Sequence, residues 1–328
     1  MEAVLIRSTG GPEVLEHADV PTPVPGPHDV LVRNAAIGVG MPDVMVRTGT
    51  YMWMPALPAI IGIEAAGVVE ALGCEVRSLR VGQKVYVNAR DLPERSGGYA
   101  QYRVAPADAV HPLAESVDLR KAAALGNYQV AESLLRMGGP APVRTVAVLG
   151  AAGGVGSAAL QLARNRGLDA IAVAGGAARC GALRGDGVET VDHTTEDIAQ
   201  GILRLTSGRG ADLVLDPAGG EVLPRLFAAL APLGTVVSYG GLAGSRSPST
   251  VPAMVRKFGD SPALRLFSMH VWDAWPQMRR EIFGTVLREL EAGRIDPVID
   301  RCFPLAQARE AHRRFEARQH VGKILLLP

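Results

Sequence analysis

The stretch Ala147–Gly167, AVLGAAGGVGSAALQLARNRG, joins a hydrophobic run to an amphipathic helix and fills the junction with glycine and alanine. The run Thr145–Leu149 has the short, largely apolar character of a buried strand, and helical periodicity begins near Gly154. Between them Ala151, Gly153 and Gly156 take the three positions of a G-x-G-x-x-G fingerprint, here in an A-x-G-x-x-G form. Glycine at the second position lets main chain approach a pyrophosphate, and at the third it lets the helix pack tightly on the strand. The helix start adds free N–H donors and a partial positive charge, worth about 0.3–1 kcal/mol to an anion at an exposed site. Ala152, Gly153, Gly154, Val155 and Gly156 are therefore candidate dinucleotide contacts. A glycine-rich turn with no ligand is the competing reading. Against it, this loop follows a strand, opens a helix and heads a βαβ series.

That series is visible on both sides. RTVAVLG, DAIAVAG, VETVDH, ADLVLD and GTVVSYG recur at βαβ spacing, and ALRLFSM fits a sixth strand, which predicts an α/β unit with a doubly wound parallel sheet. DLRKAAALGNYQVAESLLRMG, just before it, reads as a helix capped by Asp118 and ended by Gly138 and Gly139. Before about Leu119 the texture differs: PTPVPGPHDVLVRNAAIGVG, EAAGVVEALG and VGQKVYVNA are short strands broken by proline and glycine, as in a compact β-barrel. The tail returns to a strand in DPVIDRCFPL, a helix in AREAHRRFEARQ and a last strand in GKILLLP.

The second strand of the series bears on which dinucleotide binds. An acid about 20 residues past the loop holds the ribose 2′-hydroxyl of NAD. Here AIAVA runs into GGAARCGALR with no acid until Asp186. Gly175 and Gly176 leave room for a 2′-phosphate and Arg179 can pair with it. His193, just after the third strand, falls on the same rim. Taken singly, Arg179 reads equally as a solvated helix residue and His193 as a loop residue. The missing acid favours NADPH over NADH.

Composition narrows the classes. The chain's 328 residues allow one large or two medium domains, and 48% hydrophobic with 20% charged residues fits a soluble globular protein. A balance of 34 basic and 33 acidic side chains argues against a nucleic-acid partner or a polybasic membrane footprint. Cys74, Cys180 and Cys302 are scattered, as expected of reduced, intracellular thiols. MEAVLIRSTGG lacks a signal-peptide pattern, and no run of 18 apolar residues occurs, so a cytoplasmic protein is expected.

With these motifs in place, the chain resembles the medium-chain dehydrogenase/reductase superfamily, in its zinc-free quinone oxidoreductase (zeta-crystallin-like) branch. The likeness runs along almost the whole chain, through PDVMVRTGTY, LPAIIGIEAAGVVEALG, VGQKVYV, GGYAQYRVAPA, AAALGNYQVA, GAAGGVGSAALQLA, ADLVLDPAGG, GTVVSYG and the closing FPLAQAREAH and GKILLLP. It implies a GroES-like catalytic domain over residues 1–121, completed by 273–328, with a Rossmann NADP-binding domain over 122–272. It also implies an active site in the interdomain cleft and a homodimer.

In zinc-dependent members of the superfamily, a Cys in GxCGTD and a His in GHE hold the catalytic metal. The matching positions are Gly40 in GVGMPD and Ile63 in GIE, and neither side chain ligates zinc. The four-cysteine structural lobe is also missing, so no metal is expected. Without a Lewis acid to stabilise an alkoxide, the resemblance implies acceptors that delocalise charge themselves: quinones, α,β-unsaturated ketones or thioesters. Direct hydride transfer in near-attack geometry would supply much of the rate.

The resemblance also assigns residues. Tyr51 matches the tyrosine that related enoyl-thioester reductases use near the substrate carbonyl, whereas in quinone reductases the matching residue lines the nicotinamide pocket. With an ordinary pKa near 10 it suits hydrogen bonding to a carbonyl and protonation of an enolate, and both roles stay open. Asn127 and Val130 fall close to the nicotinamide, Gly240 and Gly241 beside the cofactor, Phe267 and Ser268 by the carboxamide, and Gly322 and Lys323 over it. A surface charge is the alternative for Lys323. Gly40 and Val130 depart from the family's Asn and Thr, which suggests an apolar, bulkier acceptor. His270, Trp272 and Trp275 are expected on a variable substrate or dimer surface. His17, His28, His111, His312 and His320 show no ligand spacing. The expected function is NADPH-dependent reduction of a small-molecule quinone or enone. An enoyl-thioester reductase of fatty-acid or polyketide assembly is the alternative, and a non-enzymatic, crystallin-like NADPH-binding protein is the alternative of another class.

Overall fold

Eight strands precede the one that leads into the glycine loop in the computed structural model, which describes residues 1–244, 247–318 and 320–328. They are β1 (Glu2–Ile6), β2 (Glu16–Asp19), β3 (Asp29–Val39), β4 (Ala59–Ile60), β5 (Glu64–Leu72), β6 (Lys84–Asn88), β7 (Tyr102–Pro106) and β8 (Val110–Pro112). The helices α1 (Met41–Thr48), α2 (Leu119–Ala122) and α3 (Leu125–Leu135) lie among and after them. Then follow β9 (Thr145–Leu149), α4 (Gly154–Asn165), β10 (Asp169–Ala174), α5 (Ala177–Gly185), β11 (Glu189–Asp192), α6 (Ile198–Leu205), β12 (Ala211–Asp216), α7 (Leu223–Leu226), β13 (Leu230–Ser238), α8 (Thr250–Arg256) and β14 (Ala263–Leu266). The chain closes with α9 (Pro276–Glu291), β15 (Ile299–Pro304), α10 (Ala308–Glu316) and β16 (Lys323–Leu327). The expected helix end at Gln319 lies outside the described residues.

Two compact units result, Met1–Gly126 with Asp296–Pro328, and Asn127–Ile295. In the first, a seven-stranded sheet runs β15-β16-β3-β5-β6-β8, with β7 also on β3, beside a three-stranded sheet β2-β1-β4. The long β3 can serve β5, β7 and β16 because its register with β5 shifts between Leu31 and Val32 and between Asn34 and Ala36, which bends the strand. Its inward residues Val30 and Val32 pack with Val69, Val85 and Val87, while Ile37 and Val39 join Val4, Ile6, Tyr99 and Ile324 in a second cluster.

The second unit is a six-stranded parallel sheet ordered β11-β10-β9-β12-β13-β14. Every residue of β9 is buried, as the continuous apolar run Val146–Leu149 anticipates for a strand covered on both faces. From β9 the chain moves outward through β10 to β11 and then crosses to β12 on the other side, so the sheet reverses direction beside the glycine loop. That reversal is the place where open parallel sheets bind ligands, outside the carboxyl ends of the strands.

The unit boundaries differ from those expected at 121/122 and 272/273. The helix α9 belongs to the nucleotide-fold unit, where Arg136 Nη1 bonds Glu281 at 2.7 Å and Asn165 Nδ2 bonds Glu289 at 2.8 Å. Residues 273–295 therefore do not complete the first unit, which resumes only at Asp296. At the other boundary, the backbone of Gly126 donates to Glu64 at 2.8 Å and stays with the first unit. The single helix expected over 118–139 is split at Ala123; Asp118 caps its first piece by accepting the Arg120 N–H at 2.8 Å.

Candidate active site

The carboxyl ends of the parallel strands lead in turn to Gly150, Gly175, His193, Pro217, Gly240 and Phe267, so most of the expected cofactor residues fall along one edge of the second unit. At its centre the turn after β9 is closed by the Gly153 N–H on Gly150 O at 2.9 Å. A Cβ at position 156 would lie 2.3 Å from Gly150 O and 2.7 Å from Ala151 Cα. Only glycine lets α4 approach the turn this closely. No side chain caps α4, so the helix start is bare main chain, and the residues fit a pyrophosphate.

One strand over, Gly175, Arg179 and His193 come together. A Cβ on Gly175 would meet His193 Nε2 at 2.7 Å, and Arg179 Nη1 reaches Gly175 O at 3.5 Å. Beneath them lies an acid the sequence reading missed. Asp192, at the end of β11, accepts the Gly176 N–H and the Thr194 N–H at 3.0 Å each and the Thr194 hydroxyl at 2.6 Å. These bonds, the Thr194 hydroxyl foremost, hold its carboxyl down at about 2. Asp192 is thus committed to fixing the turn that carries Gly176, whose φ of +91° suits only glycine. The signal in the sequence is an acid at a strand end with threonine two residues on, a local turn-locking pattern.

Further along the edge, Gly240 packs against Pro217, where a Cβ would lie 2.3 Å from the Pro217 carbonyl. Gly241 lies one residue on and is more open. Phe267 is buried, tilted against Trp272 at 6.3 Å, while exposed Ser268 spends its hydroxyl on the His270 N–H at 3.3 Å. Asn127 and Val130 are half-buried one turn apart on α3, on a common face.

The first unit holds Tyr51, buried at 5% exposure. Its ring tilts against Trp53 at 5.7 Å, and Arg95 Cζ stacks 4.6 Å from the Trp53 centroid. Burial pushes the Tyr51 hydroxyl above its usual range, while the nearby Arg90 and Arg95 pull the other way, Arg95 partly as a hydrogen-bond donor.

The two positions that match the zinc ligands are tied to each other by a carboxylate. Asp43 accepts the Gly40 N–H at 2.7 Å and the Ile63 N–H at 2.9 Å. It is 1% exposed, and burial pushes its carboxyl up to about 7, against the pull of Lys323. Lys323 is not a surface charge. It is 4% exposed, and its ammonium pairs with Glu64. Glu64 also accepts the Tyr86 hydroxyl at 3.0 Å. Asp43, Glu64, Arg90 and Arg95 all escaped the sequence reading; Asp43 and Glu64 take partners far along the chain, Ile63 and Lys323, and Arg95 stacks on the distant Trp53. Among the described residues, no three His, Cys, Asp or Glu side chains gather as a metal site.

Comparison with known proteins accounts for this arrangement. Residues 26–115 match the alcohol dehydrogenase GroES-like domain and residues 187–326 match the family described as zinc-binding dehydrogenase. A quinone oxidoreductase of Pseudomonas aeruginosa is 32% identical over 97% of both chains. The chain belongs to the quinone oxidoreductase branch of the medium-chain dehydrogenase/reductases. It is an oxidoreductase with a GroES-like and a Rossmann-like unit. Among solved structures of this branch, a Pseudomonas syringae quinone oxidoreductase matches with a TM-score of 0.87 at 32% identity, covering 100% of this chain and 99% of the other. The Escherichia coli quinone oxidoreductase complexed with NADPH matches with a TM-score of 0.87 at 26% identity, covering 100% of both.

Proposed function

We propose that the protein is a zinc-independent reductase that uses NADPH to reduce a quinone or an α,β-unsaturated carbonyl. The observation that carries this reading is the bare turn at Gly153–Gly156 together with the Arg179–His193 rim around Gly175, where the carboxyl end of β10 offers no acid to a ribose diol. The turn takes the pyrophosphate; Arg179 and His193 take the 2′-phosphate. Gly240, Gly241, Phe267 and Ser268 flank the cofactor from the next strand ends, and Asn127 and Val130 line the nicotinamide side. Lys323 acts as a fixed, paired charge that orients Glu64.

NADPH held along this edge by the Gly153–Gly156 turn, Arg179 and His193 would supply a hydride. The acceptor would take it at a quinone carbonyl or at the β-carbon of an enone, with the charge delocalised over its conjugated system. Tyr51 hydrogen-bonds the acceptor oxygen and provides a proton, which water replaces. One hydride and one proton convert the enone to a saturated ketone, or the quinone to its hydroquinone.

Mixing the protein with NADPH or NADH and a panel of quinones, enones and enoyl thioesters tests the proposal. Oxidation of NADPH that requires a quinone or enone supports it. Turnover confined to thioesters favours the enoyl-thioester reading, and NADPH binding without any turnover favours a non-enzymatic role.

A homodimer goes with this reading. In the sheet order β14 is terminal, with Leu266 57% exposed, and Val251, Val255 and Phe258 nearby in sequence are also exposed. An open edge beside apolar side chains suits pairing with a second copy. The proposed location is the cytoplasm; no described helix is long and apolar enough to cross a membrane.

A further inference from the structure

Glu64 gives each of its carboxylate oxygens a different task. Oε1 pairs with the ammonium of Lys323 on β16. Oε2 accepts the Tyr86 hydroxyl at 3.0 Å and the Gly126 N–H at 2.8 Å. The Tyr86 oxygen in turn accepts from Asn88 Nδ2 at 3.0 Å, so the acid is held from β6 as well as from β16. Glu64 and Lys323 are each 4% exposed. A buried carboxylate bonded on both oxygens is fixed in orientation.

Gly126 is the second residue of α3, and its N–H is one of the donors that a helix start leaves without an intrahelical partner. Ala122, Ala123 and Ala124, just before the helix, have no side-chain oxygen to offer. Glu64 reaches in from 62 residues away in the chain and supplies the cap that a local Ser, Thr, Asp or Asn usually gives. Its negative charge also suits the positive end of the helix. The approach requires bare main chain at 126, where a Cβ would lie 2.5 Å from Glu64 Oε2. A Cβ on Gly38 would likewise lie 2.5 Å from the Ala123 carbonyl, so β3 packs directly on the junction of α2 and α3. Asn127 follows Gly126 in the chain and opens the second unit.

We propose that Glu64 is a positioning residue for hydride transfer: anchored by Lys323, it caps α3 at Gly126 and thereby sets Asn127 against the nicotinamide. The inference rests on the reading above that Asn127 lines the nicotinamide side. Glu64 acts through the main chain and not by contact with cofactor or acceptor. A displacement of about 1 Å at a reacting centre can cost about a hundredfold in rate, so a cap of this kind has kinetic consequences.

The test sets reach against charge. Glu64→Asp keeps the charge opposite Lys323 and shortens the side chain by one carbon, which withdraws the carboxylate from Gly126. Glu64→Gln with Lys323→Met removes both charges and keeps a carbonyl oxygen that can accept from Tyr86 and Gly126 together. With NADPH and a quinone or enone that is turned over, Glu64→Asp is expected to lower kcat about tenfold or more, and the neutral double variant about threefold. Glu64→Asp weakens NADPH binding about threefold or more and changes that of 2′-phospho-ADP-ribose, which lacks the nicotinamide, by less than about twofold. On an Asn127→Ala background Glu64→Asp costs less than about twofold further in kcat. Unchanged kcat in Glu64→Asp, a larger loss in the neutral double variant, or losses from Glu64→Asp and Asn127→Ala that multiply would overturn the proposal. If Glu64→Asp does not fold, Gly126→Ala takes its place with the same expectations, since its methyl group displaces Oε2 while both charges stay. If the wild-type protein turns over no acceptor, the reductase reading fails, and the two titrations decide the positioning alone. A loss confined to NADPH supports it; equal losses, no loss, or no binding of either nucleotide to the wild-type protein overturns it.

Discussion

The ammonium of Lys323 and the carboxylate of Glu64 form an ion pair at 5% and 6% side-chain exposure, joining β16 to β5 within the first unit. The two residues are 259 apart in the chain. Their contact is crowded: a Cβ on Gly38 would meet Lys323 Cε at 2.6 Å and Glu64 Cγ at 2.8 Å, and a Cβ on Gly40 would lie 3.5 Å from Lys323 Nζ. The C-terminal strand thus places a cation beneath the position matching a metal ligand in zinc-dependent relatives.

Breaking a buried pair from one side leaves an uncompensated charge. Lys323→Met is expected to lower unfolding stability by about 3–5 kcal/mol. Lys323→Met with Glu64→Gln is expected to cost at least about 1 kcal/mol less than the sum of the single changes, since the neutral amide no longer needs a cation. Denaturant unfolding of the four proteins checks this.

Asp43 gives a pH dependence of defined sign. Its carboxyl is raised to about 7 in the folded protein, chiefly by burial, from an ordinary value of 3.8. The folded state therefore binds more protons than the unfolded chain between these values, and stability falls as pH rises across the window. The favourable effect is complete below about pH 4 and is lost as pH passes 7. Melting temperature measured from pH 5 to 8 is expected to decline in the wild-type protein, and this component is expected to vanish in Asp43→Asn.

Two glycines, one in each of two helices, separate packing from propensity. Gly156→Ala pushes a methyl group into the backbone of Gly150 and Ala151, with an expected cost of about 1–3 kcal/mol and loss of NADPH affinity. Gly181→Ala in α5 meets nothing within 4 Å and is expected to stabilise by about 0.5–1 kcal/mol with NADPH binding intact. Thermal melts and fluorescence titration of each variant read both effects.

Cofactor choice is expected to follow Arg179. Arg179→Ala weakens NADPH binding about tenfold or more, the equivalent of one charge-assisted hydrogen bond, and leaves NADH binding nearly unchanged. An equal loss for both nucleotides in a titration would instead assign Arg179 to the helix alone.

The local features were legible in the sequence and the convergent ones were not. The strand Thr145–Leu149, the turn through Gly156 and the helix from Gly154 each follow from neighbours in the chain, and they form as read. Asp118 announces its cap in the same way. Asp192 is not a sequence neighbour of the Gly175–Gly176 turn; its parallel pairing with Ala174 brings it in from β11. The amphipathic pattern of α9 says that one face is buried, but not against which unit; Arg136 and Asn165 decide that. Lys323 and Glu64 look like ordinary charges until two strands bring them together.

The central claim is that the bare turn at Gly153–Gly156 and the Arg179–His193 rim bind NADPH. Equilibrium titration of the protein with NADPH and NADH, followed by nucleotide fluorescence, tests it most directly. The account predicts one NADPH site per chain, at least about tenfold tighter than for NADH. Saturation by NADH at equal or lower concentration, or no binding of either nucleotide, would contradict it.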